Sequence, residues 1–163
     1  MLLVVADTSP VRYLVQIGQI DLLARLFGKV ILPSVVADEM RHPSAPVAVQ
    51  AWIAQLPTWV EVLPADDIQD ALLRTLDPGE RAAIALGLSL KADLILIDER
   101  KGAAAALKQG FAVVGTIGIL DLAARRRLVN LKDAVDGLRR TNFRYRPDLF
   151  DALLAKHEGE VER

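Results

Sequence analysis

Short apolar runs of strand length alternate along the chain with longer stretches whose apolar residues recur every three or four positions. The short runs are almost continuously apolar, and they occupy residues 2–6, 30–32, 60–63, 94–97 and 112–114. Such runs are typical of parallel strands, because a parallel sheet is covered on both faces. Pro33 stops the second run and Gly115 stops the fifth. The pattern therefore predicts five buried strands.

Helical periodicity fills the stretches between the predicted strands. The predicted helices lie at residues 14–26 (as one or two helices), 34–40, 47–56, 77–90, 101–107, 116–122, 131–138 and 149–154. Ser34 and Thr116 are expected to act as N-caps, and Asp77 followed by Pro78 opens the strongest helix. Gly110 is placed to close the alanine-rich helix before it. Strands that alternate with helices predict βαβ units, and hence a parallel sheet with helices on both faces.

Length and composition limit the class of protein. The 163 residues fit a single domain at 1–163, with a helical C-terminal part at 116–157 and a polar tail at 158–163 that we expect to fray. Hydrophobic residues make up 52% of the chain and charged residues 25%, a balance typical of a globular protein. The absence of cysteine excludes disulfides and thiolate metal sites, and it is compatible with the cytoplasm, where we expect the protein.

Two further features bear on membranes and partners. The first apolar run follows no basic region and ends at Asp7, so we expect neither a signal peptide nor a membrane span. The formal net charge is -1, which neither supports nor excludes a nucleic-acid partner. Only local patches of charge can therefore indicate what the chain binds.

Four carboxylates fall at or just after the ends of predicted strands. Asp7 ends the first run and Asp98 ends the fourth, while Glu39 lies in the helix after the second run and Glu80 in the first turn of its helix. Ligands of parallel α/β sheets bind at the carboxyl ends of the strands. The four acids therefore converge if the first and fourth strands are neighbours.

Such a cluster of acids needs compensation. Two carboxylates about 4 Å apart repel by about 4 kcal/mol at an effective dielectric constant near 20, so a cation, a shared proton or nearby arginines must offset the charge. Oxygen ligands without cysteine or a set of histidines favour Mg²⁺ or Mn²⁺ over Zn²⁺. One or two such ions in an acidic site perform phosphodiester hydrolysis, because they activate water and stabilise the charge of the transition state.

Each of the four acids also has a purely structural interpretation. Asp7 could begin the turn into a helix, Asp98 could be an N-cap, and Glu39 could be a solvated helix residue. The strongest alternative concerns Glu80, because Asp77-Pro78-Gly79-Glu80 matches a capping box in which the glutamate reaches back to the Asp77 backbone. No single acid is specific, and only their joint placement favours a functional site.

The ordered series of motifs around these acids resembles a PIN domain. The motifs are VVADTS at 4–9, LPSVVADE at 32–39, LDPGERAAIAL at 76–86 and LIDER at 96–100. More narrowly, the chain is similar to a prokaryotic branch of that family labelled only as predicted nucleic-acid-binding. The features shared with that branch are VGTIGIL at 114–120 and LRRTNFR at 138–144. The resemblance covers about residues 2–160.

The resemblance implies a three-layer α/β/α sandwich with a five-stranded parallel sheet. It also implies metal-dependent endoribonuclease chemistry, often as the toxin of a VapBC-like toxin–antitoxin pair, and it implies a homodimer. The four acids of the family fall on Asp7, Glu39, Glu80 and Asp98, as metal ligands for one or two Mg²⁺ or Mn²⁺ ions, with the hydroxyl of Ser9 or Thr8 beside the first. Many relatives carry Thr or Ser two residues before the fourth acid, where this chain has Leu96.

Arginines provide candidate contacts to a nucleic acid. Arg100 follows Asp98 closely and is a candidate for contact with the scissile phosphate. Four more arginines surround two aromatic residues near the C-terminus: Arg139, Arg140, Arg144 and Arg146 around Phe143 and Tyr145. This mixture suits phosphate contact with base stacking, so the segment is a candidate for binding RNA or a protein partner. The alternative is a solvated helix end with its aromatic side chains packed inward.

Other enzyme classes fit the sequence less well. A response-regulator receiver needs a pair of acids after its first strand and a lysine after its fifth, whereas here Asp7 stands alone and Gly115 follows the fifth strand. The glycine-rich motifs for dinucleotides and for ATP are absent. The remaining alternative to a nuclease is a PIN-fold module that binds nucleic acid or protein with weak or no catalysis.

Overall fold

A parallel five-stranded sheet lies at the centre of the protein. The computed structural model describes residues 2–66 and 70–161. Its strands are β1 (Val4–Ala6), β2 (Val30–Pro33), β3 (Val60–Leu63), β4 (Leu94–Leu96) and β5 (Ala112–Val114). They are arranged in the order β3-β2-β1-β4-β5, and each neighbouring pair is parallel. The predicted parallel sheet is therefore confirmed, with the first strand at its centre and the fourth beside it.

Helices connect the strands and follow them. In the described residues they are α1 (Thr8–Gln16), α2 (Leu22–Phe27), α3 (Ser34–Arg41), α4 (Val47–Ala54), α5 (Pro78–Leu90), α6 (Arg100–Lys108), α7 (Thr116–Arg125), α8 (Leu131–Arg139) and α9 (Pro147–Val161), with a short 3₁₀ turn at Leu73–Thr75. The periodicity of apolar residues predicted a helix in each of these places, but α1 begins six residues earlier than expected and α9 ends seven residues later.

The two faces of the sheet are buried against different helices. Val4 and Ala6 of β1 belong to the larger core, together with side chains from α1, α2, α3, α7 and α8. Val5 of the same strand belongs to the smaller core with Ala83 and Ile84 of α5 and Ala106 of α6. Successive residues of a strand point to opposite faces, which explains this division. The expected α/β/α sandwich is therefore confirmed.

The helix starts differ from the expected caps in two places. The N-cap of α3 is Pro33 and the N-cap of α7 is Gly115, so the prediction that Ser34 and Thr116 are N-caps is wrong. In both cases the chain passes from the strand directly into the helix, and the last extended residue takes the cap position. Asp77 is the N-cap of α5 as expected, and its carboxylate accepts the backbone N–H of Glu80 at 2.8 Å.

The last helix packs onto the domain through its side chains. Phe150 of α9 is fully buried, and His157 Nε2 lies 2.6 Å from Asp121 Oδ1 of α7. Instead of fraying at residue 158, α9 continues to Val161, while residues 162–163 of the expected tail lie outside the described residues. No helix in the described part of the chain is long and apolar enough to cross a membrane.

Candidate active site

The order of the strands places two of the acids side by side. From β1 the chain runs outward to β2 and β3, and it then crosses back to β4 and β5 on the other side of β1. Such a reversal of strand order opens a crevice at the carboxyl ends of the strands, where α/β proteins bind ligands. Asp7 directly follows β1, and its backbone N–H donates to the Leu96 carbonyl of β4 at 2.8 Å. Asp98 lies two residues beyond Leu96, so both acids occupy this crevice.

Asp7 is a buried carboxyl group among other acids. The residue is only 5% exposed. The pKa of Asp7 is raised to about 7. Burial is the main cause, the negative charges of Asp77, Glu80 and Glu39 add to it, and a hydrogen bond from the backbone N–H of Thr8 acts in the opposite direction. The charges that act on Asp7 thus disfavour its ionised form. A bound cation would reverse this balance.

Asp7 and Glu39 converge on a glycine in the first turn of α5. The hydroxyl of Thr8 donates to Glu39 Oε2 at 2.7 Å. A Cβ atom added to Gly79 would lie 2.9 Å from Asp7 Oδ1 and 3.2 and 3.3 Å from the two carboxylate oxygens of Glu39. Only a residue without a side chain leaves room for both acids. The sequence indicated the acids but not this role of Gly79. A glycine within the first turn of a strong helix is the feature that could have indicated it.

Glu80 combines the two roles that the sequence left open. Its pKa is raised to about 7 by burial and by the neighbouring Asp77, while a hydrogen bond from the Asp77 backbone lowers it. This contact and the bond from the Glu80 N–H to Asp77 form the capping box. Glu80 also lines the cleft described below, and a Cβ on Gly102 would lie 3.3 Å from its Cγ and Cδ atoms. Capping therefore does not remove Glu80 from the candidate site.

Asp98 is held by the start of α7. The backbone N–H of Thr116 donates to Asp98 Oδ1 and the Thr116 hydroxyl to Oδ2, each at 2.6 Å. A Cβ on Gly115 would lie 2.7 Å from Oδ1, so this position also needs glycine. Burial raises the pKa of Asp98, and the two bonds from Thr116 lower it. The N-cap of α6 is Glu99, so Asp98 is not the cap of that helix.

Thr116 supplies the polar contact that Leu96 cannot provide. The hydrogen bonds from Thr116 to Asp98 were not expected from the sequence. Thr116 lies on another strand–helix connection, and it is close to Asp98 only because β4 pairs with β5. The signal that could have indicated it is a hydroxyl residue directly after the glycine that follows β5. Thr116 is completely buried, which fits an orienting contact rather than a contact with solvent.

A cleft of about 790 Å³ opens at this edge of the sheet. Its lining combines acidic, basic and aromatic side chains, among them Ser9, Tyr13, Asp77, Glu80, Asp98, Glu99, Arg100, Phe143, Arg144, Tyr145 and Arg146. Asp7 and Glu39 are not in the lining, and their carboxylate oxygens lie against Gly79, the residue before Glu80. In the part of the chain that the structure describes, no three acidic or histidine side chains are close enough together to hold a metal ion. The acids occupy one region without forming a tight triad.

The structure divides the candidate arginines into two groups. Arg144 and Arg146 line the acidic cleft together with Arg100. Arg139 instead contacts Asp136 and Asp151 at 3.4 and 3.5 Å. Arg140 lines a separate cavity of about 500 Å³ between α1, α4 and α8. The four C-terminal arginines therefore do not all line the same cavity, because Arg139 and Arg140 lie at the end of α8, whereas Arg144 and Arg146 lie in the segment that follows it.

These features define an α/β domain of the PIN type with acids at its topological switch point. Residues 3–159 match the PIN-domain family DUF3368, and the chain belongs to that family. PIN domains are generally nucleases, so the fold is of a nuclease type. No curated protein and no solved structure matches the chain.

Proposed function

We propose that this protein is a metal-dependent endoribonuclease that hydrolyses RNA phosphodiester bonds. Asp7, Glu39, Glu80 and Asp98 would hold one or two Mg²⁺ or Mn²⁺ ions. The observation that carries this proposal is the burial of the Asp7 carboxyl group at the switch point of the sheet, where the surrounding charges are acidic and raise its pKa to about 7. A structure that buries a carboxylate among acids gains stability and function when a cation joins them.

The residues fit a hard divalent cation in their chemistry. The donors are carboxylate and hydroxyl oxygens, which Mg²⁺ and Mn²⁺ prefer. Because Gly79 and Gly115 lack side chains, the carboxylate oxygens of Asp7 and Asp98 can lie directly against them. Thr8 orients Glu39, and Thr116 orients Asp98. Contacts of this kind fix metal-ligating carboxylates in place and are part of how a site is built.

The chain itself supplies the remaining chemistry of the site. When bound, the ion would lower the pKa of its water and stabilise negative charge on the phosphate. Arg100, in the first turn of α6, lies in the cleft and can bind a phosphate oxygen through its guanidinium group. Ser9 lines the same cleft and can donate a hydrogen bond to the substrate. Burial of Asp7 excludes water from one side of the site, which strengthens these charge interactions.

A second function also has support from the structure. Asp98 is satisfied by Thr116, and Glu80 takes part in a capping box. No three acids in the described residues form a ready metal group. These contacts favour a PIN-fold module that binds nucleic acid or protein with weak or no catalysis. A titration with Mn²⁺ separates the two functions, because only the nuclease requires specific Mn²⁺ binding by these acids.

The first test is the response of the melting temperature to Mn²⁺. We expect saturating Mn²⁺ at neutral pH to stabilise the wild-type protein by about 2–3 kcal/mol, since a ligand at about 100 times its Kd contributes this much. The melting temperature should rise by about 5 °C or more. The matched control is Asp21→Asn, because Asp21 is exposed at the start of α2 and makes no capping bond with its side chain. A wild-type protein that shows no shift, while binding RNA, would favour the binding module.

A second test concerns the space that Gly79 leaves for the acids. We expect Gly79→Ala to lower Mn²⁺ affinity at least tenfold, because the new methyl group would lie 2.9 Å from Asp7 Oδ1. The metal-free stability should fall somewhat, because the methyl group forces the buried Asp7 carboxylate to shift, and the better helix propensity of alanine offsets this by at most about 1 kcal/mol. The control is Gly159→Ala in α9, where an added Cβ meets no atom within 4 Å. Calorimetric titration with Mn²⁺ measures the difference, and equal affinities for the two variants would contradict this account of Gly79.

The proposal extends to partners and location. We propose a cytoplasmic protein that forms a homodimer through helices away from the acidic cleft. We also propose that it acts as the toxin of a VapBC-like toxin–antitoxin pair, with an antitoxin protein as its second partner. These parts rest on membership of the PIN family, whereas the catalytic proposal rests on the geometry of the acids.

A further inference from the structure

The residues between α8 and α9 form one wall of the acidic cleft. Residues 142–146 all line the cleft, and residues 143–146 have no regular secondary structure. Along this stretch Phe143 and Tyr145 are half-buried, whereas Arg144 and Arg146 are exposed. The alternation shows that the aromatic side chains pack inward and the arginines face outward. We call Arg144 and Arg146 the arginine wall; Arg100 lines the same cleft from the start of α6.

The aromatic side chains fasten this wall to the domain. Tyr145 stacks on Phe150 with ring centroids 4.3 Å apart, and Phe143 meets the ring of Tyr13 edge to face at 5.0 Å. The Tyr13 hydroxyl donates to Asn142 Oδ1 at 3.0 Å. Because Phe150 is fully buried, these contacts tie the wall to the core. The base-stacking role expected for the aromatics is therefore replaced by an anchoring role.

The arginines of the wall and Arg100 are available to a ligand. Among the residues that the structure describes, Arg100 and Arg144 form no ion pair. Arg146 contacts Asp148 at 3.4 Å, with both side chains more than 70% exposed. An exposed pair of this kind contributes little and can be exchanged for a better partner. Guanidinium groups in this state bind phosphate oxygens through two parallel hydrogen bonds.

We propose that the arginine wall is a binding site for backbone phosphates of the RNA that flank the bond held over the acids. The inference deepens the proposed function and rests on it for the identity of the substrate. The lining of the cleft contains both acids, namely Glu80 and Asp98, and the arginines of the wall. A polynucleotide suits this arrangement, because one of its phosphates can lie over the acids with a cation while its neighbours meet the arginines.

The chemistry of the wall favours a nucleic acid over a protein partner. Protein interfaces have cores rich in exposed aromatic and apolar side chains. Here the aromatic side chains of the wall are turned toward Phe150, and the side chains that face the cleft from residues 144 and 146 are cationic. Leu149 and Ile117 are the aliphatic side chains in the lining of the cleft, and both are at least partly exposed. Two aliphatic side chains beside several arginines fit the rim of a phosphate site.

The test measures RNA binding and its dependence on salt. The probe is a short fluorescein-labelled single-stranded RNA, and its anisotropy is followed in EDTA so that the strand remains intact. We expect Arg144→Gln with Arg146→Gln to raise the Kd about tenfold or more. The slope of log K against log salt should become shallower by about 1.4, because two lost contacts to a single strand contribute about 0.7 each. Arg144→Lys with Arg146→Lys should keep the slope while losing part of the affinity.

The matched control removes two arginines outside the cleft. Arg126→Gln with Arg127→Gln changes the net charge equally, and both side chains are exposed and lie outside the lining of the cleft. This pair should leave the Kd within about twofold, since salt screens distant charges. The inference is overturned if the Arg144 and Arg146 variant keeps the wild-type slope, or if the control pair loses as much affinity. It is also overturned if these two arginines prove necessary for an acidic peptide but not for RNA.

A parallel measurement separates this inference from the proposed catalysis. The Arg144 and Arg146 variant should bind Mn²⁺ with wild-type affinity, because neither arginine is among the proposed ligands. If the wild-type protein binds no Mn²⁺ while its RNA affinity still depends on these arginines, the catalytic proposal fails and the phosphate site stands. If Mn²⁺ binds and RNA affinity is independent of the arginines, the phosphate site fails and the catalytic proposal stands.

Discussion

Asp7→Asn should make the metal-free protein more stable at pH 8 while it removes RNA cleavage. Burial, with smaller contributions from Asp77, Glu80 and Glu39, raises the pKa of Asp7 to about 7. The carboxyl group is nearly neutral when folded at pH 5, but above pH 7 the folded protein must hold the charged form in an unfavourable place. An asparagine side chain has a similar shape without that charge. The variant should therefore gain stability at alkaline pH.

The sign of the pH dependence follows from proton binding. The folded-state pKa of Asp7 lies above its value in the unfolded chain, so the folded protein binds more protons between about pH 4 and 7. The contribution of Asp7 to stability is therefore fully present below that window and is lost as the pH rises through it. Each pKa unit corresponds to about 1.4 kcal/mol, so the loss by pH 8 is on the order of 2–4 kcal/mol.

Thermal unfolding in EDTA at pH 5 and pH 8 measures this effect. We expect Asp7→Asn to raise the melting temperature at pH 8 by about 5–10 °C and to raise it by less than half as much at pH 5, where only the unfolded chain is ionised at this residue. Asp21→Asn, at an exposed acid outside the cleft, should leave both temperatures unchanged within about 1–2 °C. A lower melting temperature for Asp7→Asn at pH 8 would show that a partner within the metal-free protein already stabilises the Asp7 carboxylate, which would contradict its proposed need for a cation.

Glu80→Gln should separate the capping role of Glu80 from its role as a metal ligand. The Asp77 carboxylate accepts a hydrogen bond from the backbone N–H of residue 80, and this bond does not depend on the side chain of residue 80. That half of the capping box therefore remains. Glutamine also keeps an oxygen that can accept the Asp77 backbone N–H. It lacks the negative charge that a divalent cation requires. Stability without metal should therefore be nearly unchanged at pH 5, where burial and Asp77 keep Glu80 largely neutral, while Mn²⁺ affinity and cleavage at neutral pH should fall by about a hundredfold or more.

Glu80→Ala provides the comparison. Alanine loses the bond to the Asp77 backbone and the packing of the Glu80 side chain against Gly102. The cap loss should cost about 1 kcal/mol, so Glu80→Ala should melt lower than Glu80→Gln while cleaving equally poorly. Cleavage and Mn²⁺ binding at the wild-type level in Glu80→Gln would assign Glu80 to capping alone. The proposed site would then consist of Asp7, Glu39 and Asp98.

The architecture could be predicted from the sequence because it depends on local patterns. The apolar run at 112–114 and the run at 60–63, which Glu61 interrupts, coincide with β5 and β3, and the helical period locates the helices between the strands. The prediction failed at Ser34 and Thr116, where a hydroxyl residue follows a strand and resembles a cap. At such junctions no separate loop precedes the helix, so the residue before the hydroxyl residue, Pro33 or Gly115, is the N-cap.

The candidate site was predictable only in part, because its contacts join distant parts of the chain. The acids could be located from strand ends, since that rule needs only the order of elements. The bond between Asp98 and Thr116 depends on the pairing of β4 with β5, and the fit of Asp7 against Gly79 depends on how α5 packs over β1. The different positions of Arg140 and Arg144 depend on where α8 ends. These relationships are set by tertiary packing and leave little trace in local sequence.

Cleavage of a labelled RNA by the wild-type protein and by Asp7→Asn, with Mn²⁺ and with EDTA, tests the central claim most directly. The account predicts that the wild type cleaves in Mn²⁺, stops in EDTA and resumes when Mn²⁺ is restored. Asp7→Asn should be at least about a hundredfold slower in Mn²⁺, a loss of nearly 3 kcal/mol in transition-state stabilisation. Cleavage that persists in EDTA, or that proceeds at the wild-type rate in Asp7→Asn, would contradict a metal-dependent nuclease built on Asp7.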